Sequence, residues 1–234
     1  MRKKYIDIED ENQFGLSIGD LMAALLLIFV LLLIGTMLKL QDEFDSKSNV
    51  AERYKELQIE LYNDLYAEFE SDLTLWDAEF DSTLTFRFKE PDVLFDVGSS
   101  RLKLSFSRIL DDFFPRYIKV LQSEKYKEHI EEIRIEGHTS IEGRAGMNEQ
   151  ESYFYNMKLS QDRTRSVLQY CLNILENNNE LWTRERAMAN GLSSVKPIAQ
   201  NDTEEGRKQN RRVEFKIKTD AENQIREMLK YAKS

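Results

Sequence analysis

One stretch of this chain, Leu16 to Leu38, is long and apolar enough to cross a bilayer, whose hydrocarbon core needs roughly 20 helical residues. From Leu21 to Ile34 no side chain is polar, yet Asp20 stands about one turn inside the apolar run. A carboxylate in mid-membrane costs on the order of 2.5–3.5 kcal/mol, and less near the interface. Such a group, with no basic partner in its own helix, faces a bundle interior or an ion path. The plainer reading, a solvated carboxylate at headgroup level, is weaker because Leu16 and Ile18 extend the apolar run behind it. A cleaved signal peptide is disfavoured too. The run exceeds the ~7–15 residues of such a core, and no small-residue cleavage site follows it.

The length of 234 residues fits one globular domain beside this segment. A net charge of −9 argues against a nucleic-acid-binding role, so no direct nucleic-acid partner is expected. The single cysteine, Cys171, rules out a disulfide framework within the chain and reads as a small core residue; a bridge across a dimer is a minor alternative. Arg2, Lys3 and Lys4 precede the apolar run, and Lys39 and Lys47 follow it, a weak lean toward a cytoplasmic N-terminus.

Residues 42–79 lack Gly and Pro, and Val50, Tyr54, Leu57, Leu61, Leu65 and Phe69 recur at helical spacing. This stripe fits pairing with the same helix of a second chain, the preferred reading, or packing on the domain that follows. The period then changes. Leu84, Phe86 and Phe88 alternate with polar residues as a strand, and Phe95 to Gly98 reads as a turn with a buried aromatic anchor. Leu102 to Leu121 reads as a helix kinked or broken at Pro115, Ile133 to His138 as a strand, and Gly143 to Ser152 as an exposed loop. Leu159 to Leu175 is a helix ended by Asn177–Asn179. Ala187–Leu192 and Val213–Ile217 are strands, and Ala221–Ala232 is a closing helix. The expected fold is a single N-terminal transmembrane helix, a helical spacer, and an α/β sandwich whose four-stranded mixed sheet is covered by helices on one face. The expected boundaries are a tail at 1–14, the membrane helix at 15–40, the spacer at 41–80 and the domain at 81–234.

Four pieces occur in order: Phe95-x-x-Gly98-Ser99-x-x-Leu102, Ile135-Glu-Gly137-His138-Thr139, Asn156-x-x-Leu159-Ser160-x-x-Arg163, and Asn210-Arg211-Arg212-Val213-Glu214-Phe215. Together they resemble the OmpA-like peptidoglycan-binding domain, over roughly Leu84 to Lys218. The resemblance implies a site for the free end of a stem peptide. There Arg163 would hold a carboxylate through two parallel hydrogen bonds, a geometry lysine cannot copy. Asn156, Thr139 and Arg212 match further motif positions. Ser140 departs from the pattern, which has an Asp for the ligand's ammonium, and Glu142 is the nearest substitute acid. The loop from Thr139 to Asn156 is also longer than usual for the family. His138 belongs to the strand end. With His129 the only other histidine and no cysteine cluster, no metal site is expected, and no catalytic motif appears, so the chain reads as a non-enzyme.

A single membrane helix with an early Asp, a spacer and such a domain is the layout of the MotB family of wall-anchored motor subunits. That likeness implies an inner-membrane, single-pass protein with its N-terminus in the cytoplasm and its domain in the periplasm. It also implies a homodimer inside a five-copy, multi-span ZorA/MotA-like partner. Asp20 would carry protons as the coupling ion, with no cofactor. Gly19, Ala23 and Ala24 let neighbouring helices approach on that side. Within the family, Phe14-Gly-Leu-Ser-Ile-Gly-Asp20, the Gly137-His-Thr-Ser140 variant and the compact spacer are most similar to the Zorya-type anti-phage branch. A flagellar-type stator subunit and a non-conducting wall anchor are the alternatives.

Overall fold

In a computed structural model of the chain, residues 6–89, 94–96 and 98–221 are described, with side chains from Gly19 onward except at 43, 46–51, 53, 177 and 178. Most of the closing helix expected at Ala221–Ala232, the first residues of the expected tail, and the side chain of Val50 lie outside the described residues. The chain divides into two compact units, residues 1–53 and 54–234.

Helix α1 (Ile6–Leu73) contributes to both units. Within it, Gly19–Asp42 forms a 24-residue apolar span with none of its surface buried in the protein. At ~1.5 Å per residue the span reaches roughly 36 Å, enough for a hydrocarbon core of about 30 Å. Asp20 is exposed on this helix, beside exposed Leu21 and Met22.

The second unit is built on a five-stranded sheet of order β1-β2-β5-β3-β4: β1 (Ala78–Asp81), β2 (Thr85–Phe88), β3 (Ile130–His138), β4 (Ala187–Gly191) and β5 (Arg212–Thr219). All neighbours pair antiparallel except β3 and β4, which are parallel. The sheet is mixed, as expected, with β1 as an added fifth strand. Only Ala78 and Phe80 supply its alternation, too little to register as a strand in the sequence. The β1–β2 turn is tight. Leu84 sits at φ 58°, its N–H donates to the Asp81 carbonyl at 3.0 Å, and its side chain stays buried. Leu84 is therefore a turn residue rather than the start of the strand.

Helix α2 (Leu104–Leu121) continues through Pro115. A helical proline forfeits one backbone hydrogen bond, and here Phe113, Phe114, Tyr117 and Ile118, all at 0% exposure, hold the helix against the sheet. Helix α3 (Glu149–Asn173) begins inside the expected loop. Asn148 and Glu151 form a reciprocal capping box, each side chain accepting the other's backbone N–H at 2.9 Å. The asparagine run opens a further helix, α4 (Asn177–Arg186), rather than only closing α3. A short α5 (Glu204–Asn210) precedes β5 and carries no apolar stripe that would have revealed it.

Leu61, Leu65 and Phe69 of α1 are fully buried in the same core as the sheet and α2. Phe69 meets Phe86 edge-on at 5.3 Å and Tyr62 stacks on Phe80 at 5.1 Å, so α1 covers the β1–β2 end of the sheet. Arg116 of α2 clamps the same helix through Glu68 at 2.7 Å and Asp72 at 2.9 Å. The phenol of Tyr126, pushed up to about 12 by burial and by Asp64, stays neutral and donates to that carboxylate at 2.5 Å. Leu61, Leu65 and Phe69 thus follow the second of the two readings of the stripe, packing on the domain that follows, and the compact unit that holds them begins at Tyr54. Phe113 of α2 meets Phe86 at 5.1 Å and Phe88 at 5.2 Å, while Phe80 of β1 is covered from α1, where Tyr62 stacks on it.

A fragment of residues 54–234 is expected to unfold cooperatively in urea, followed by far-ultraviolet circular dichroism, whereas residues 81–234 give no cooperative transition. In the longer fragment Phe69→Ala should cost about 3–5 kcal/mol.

Candidate functional site

Two glycines set the site's geometry. A Cβ on Gly137 would lie 2.7 Å from Thr164 Cγ2 and 2.9 Å from the Ser160 carbonyl oxygen; one on Gly191 would lie 2.3 Å from the Gln161 backbone nitrogen. Glycine at both positions lets α3 lie directly against β3 and β4. The Gln161 side chain completes the contact, accepting from Gly191 N–H at 2.8 Å and donating to the Ala189 carbonyl at 3.1 Å.

The face of α3 so positioned carries Asn156, Leu159 and Arg163 along the end of β3. Asn156 donates from Nδ2 to the Ser140 carbonyl at 3.1 Å and to the Glu142 carbonyl at 2.9 Å, fixing the loop after His138. Arg163 is 8% exposed; its Nε donates to the Ser99 carbonyl at 2.9 Å and its guanidinium lies 4.8 Å over the Phe95 ring. The anchor role expected of Phe95 is thus to floor the arginine. A cavity of about 490 Å³ opens here, and Thr139, Ser140, Glu142, Asn156 and Arg163 all line it. Thr139 and Ser140 are buried, and the Thr139 hydroxyl has no hydrogen-bond partner among the described residues.

Arg212 does not join them. As the first residue of β5, paired with His138, it is buried and donates from Nε to Glu214 at 2.7 Å and from Nη1 and Nη2 to the carbonyls of Asn210 and Lys196 at 3.1 Å. Its neighbour Arg211 lines the cavity instead. Strand alternation is the cause, since the first residue of β5 is committed to the sheet face that carries Glu214. Glu142 is also less available than expected, for its carboxylate meets Arg207 at 3.1 Å and Arg211 at 3.9 Å. Among the lining residues not foreseen are Arg211, Arg144 and Tyr155, with the Arg144 guanidinium 4.9 Å over the Tyr155 ring. Arg211 belongs to the Asn210-Arg211-Arg212 piece though it was given no role; Arg144 and Tyr155 carry no such signal.

Beneath the cavity lies a buried charge cluster. Glu136, His138 and Glu214, all buried, place ligand-type atoms within 4.8 Å of one another. His138 Nε2 is 3.6 Å from Glu214 and 3.9 Å from Glu136, too far for hydrogen bonds. Glu214 Oε1 already accepts from Arg212 at 2.7 Å and from Arg87 at 2.8 Å. Two guanidiniums on one carboxylate oppose a divalent cation there, so the cluster reads as an ion-pair network. Burial alone would raise the Glu214 carboxyl, but the nearby His138 ring and hydrogen bonds from Arg212 and Arg87 outweigh it and hold the group well below the usual range.

A sequence profile described as the OmpA family matches residues 94–211. Zorya protein ZorB of Escherichia coli is 45% identical over 223 residues, covering 94% of this chain and 94% of that protein. This chain belongs to the ZorB family. Outer membrane protein A of Bordetella avium is 33% identical over 126 residues, 54% of each chain. Among solved structures, a MotB-like protein from Desulfovibrio vulgaris superposes with a TM-score of 0.52 at 24% identity, covering 74% of this chain and 98% of that one, and so shares the fold. In this ZorB-family chain an N-terminal apolar helix precedes an OmpA-type α/β domain, and every residue lining the cavity lies inside the profile match.

Glu214→Gln is expected to destabilise the protein by about 3–5 kcal/mol at pH 7, the cost of leaving buried cations unpaired. A carboxyl depressed in the folded state stabilises above its unfolded value near 4.3 and loses that contribution as pH falls through the folded value. The gap between wild type and variant, read from urea midpoints, should therefore be full at pH 7 and narrow below about pH 4.

Proposed function

We propose that this chain is the wall-anchored, MotB-like subunit of a proton-driven rotary motor in the bacterial inner membrane, serving Zorya-type anti-phage defence. The observation that carries this reading is the union, in one chain, of an exposed 24-residue apolar span bearing Asp20 with an OmpA-family domain, matched over nearly its whole length by ZorB. An apolar span with no buried surface needs lipid and other helices around it. Gly19, with nothing within 4 Å of where a Cβ would stand, keeps the surface beside Asp20 low enough for a neighbouring helix.

In this reading Asp20 takes a proton from the periplasmic side and releases it to the cytoplasm. Each charge moved through the full potential supplies about 2.3 kcal/mol per 100 mV. Two copies of the chain sit within a five-copy, ZorA/MotA-like multi-span partner, N-termini in the cytoplasm, domains in the periplasm. The domain holds peptidoglycan through the cavity. Arg163 grips a stem-peptide carboxylate with its terminal nitrogens while Nε stays on Ser99, and Asn156 keeps the rim in shape.

Asp20→Asn should abolish phage protection in plating assays on cells carrying the whole locus, while membrane assembly and co-purification of the partner persist. Full protection by that variant rejects the proton-motor reading and leaves a static anchor. Arg163→Ala should reduce co-sedimentation with purified sacculi at least tenfold; unchanged sedimentation removes the cavity as the wall site.

A further inference from the structure

A second hollow, of about 690 Å³, adjoins the cavity and shares Glu142, Gly143 and Arg144 with it. The loop that carries these residues crosses the first turns of α3. A Cβ on Gly143 would stand 2.3 Å from Ser152 Oγ, so only glycine lets the loop lie this close to the helix. Asn156 then pins the loop from the cavity side through the Glu142 carbonyl at 2.9 Å. On the other side Ile141, Met147, Ser152, Tyr153 and Ser194 line the second hollow. Tyr153 is 37% exposed and Ile141 55%, and the Phe154 ring, 60% exposed, meets the Tyr153 ring edge-on at 5.3 Å. The backbone beneath is fixed: the Ser193 hydroxyl donates to the Tyr153 carbonyl at 3.0 Å, and the Ser193 N–H donates to Ser160 Oγ at 3.1 Å. Exposed apolar side chains scattered singly need no explanation. Here they line one hollow together, with the hydroxyl-bearing Ser152 and Ser194 and the Glu149 carboxylate around them.

We propose that this hollow is a subsite for the glycan strand of peptidoglycan, with a sugar ring lying on Tyr153. Every stem peptide is joined to a muramic sugar, so a stem seated in the first cavity carries that sugar out of it. The hollow that shares the cavity's border is next along its path. Ser152 and Asn156, which line the two spaces, are one helical turn apart, about 6 Å along α3. Three extended peptide residues reach about 10 Å, enough to cross the loop between them. A pyranose offers an apolar face of C–H groups and a rim of hydroxyls, which suits an aromatic surface edged by a few polar groups. The muramyl carboxyl is taken up in the amide to the stem, so the sugar is uncharged and is held by stacking and hydrogen bonds rather than by ion pairs. This rests on the peptidoglycan-binding reading above and adds the glycan as a second point of contact.

The test is calorimetric titration of the full-length protein in detergent with two probes. One is the stem tripeptide ending in meso-diaminopimelate; the other is the same tripeptide on its N-acetylglucosaminyl-N-acetylmuramyl disaccharide. The disaccharide probe should bind about tenfold tighter. Tyr153→Ala should erase that gain, and Tyr153→Phe, which keeps the ring, should retain it. Equal affinity of the two probes for the wild-type protein overturns the inference and leaves peptide binding standing. A gain that survives Tyr153→Ala overturns it by putting the sugar elsewhere. Loss of tripeptide affinity by the same factor in Tyr153→Ala also overturns it, since the ring then acts on the fold and not on the sugar. If neither probe binds, the subsite falls, and co-sedimentation with intact sacculi decides separately whether wall binding falls with it.

Discussion

How closely α3 can lie on the sheet governs everything assembled above it. Asn156 and Arg163 are seven residues apart, two helical turns, and so share one face of α3. That face reaches the end of β3 only because Gly137 and Gly191 present no side chain beneath Ser160, Gln161 and Thr164. From this contact follow the grip of Asn156 on the Ser140 and Glu142 carbonyls, the seating of Arg163 over Phe95, and the cavity between them. A methyl group at either glycine would have to displace α3 backbone, and with it both side chains.

Much of this was legible in the sequence where a physical period repeats. The strands at Phe86–Phe88, Ile133–His138, Ala187–Gly191 and Val213–Ile217 announced themselves by alternation or short apolar runs, and the α2 and α3 stripes by helical spacing. β1 offered two alternating apolar residues and no more. The stripe of α1 was plain, but its partner was not. Leu61, Leu65 and Phe69 at helical spacing describe a face that must be buried without saying against what, and the ring contacts of α1 with Phe80 and Phe86 show where it goes. At the site, motif order located Thr139, Ser140, Asn156 and Arg163. It chose Arg212 over Arg211 because spacing alone does not reveal which of two adjacent residues enters the strand. Glu142 was correctly placed on the rim but not seen as half of a salt-bridged pair, since its partners lie more than sixty residues away.

The polar side of the sheet has its own logic. Arg87, Arg212 and Glu214 come from two neighbouring strands with Glu136 and His138 on the third, all on the face opposite Phe86, Phe88 and Phe215. Buried charges of this kind are tolerated only when paired, and here Glu214 Oε1 is met by Arg212 of its own strand and by Arg87 of the adjacent one. The network ties β2, β5 and β3 together through side chains, and Arg212 carries it on to the Lys196 and Asn210 carbonyls at the margin of the cavity. Strand pairing and rim geometry are therefore held by one set of charges.

The end of α1 has a mechanical meaning. A helix that finishes within a hydrophobic core, bolted by Arg116 to Glu68 and Asp72 and by Tyr126 to Asp64, cannot be drawn away one contact at a time when tension is applied along its axis. Leu61, Leu65 and Phe69 must slip together, so the load is shared in shear across three turns.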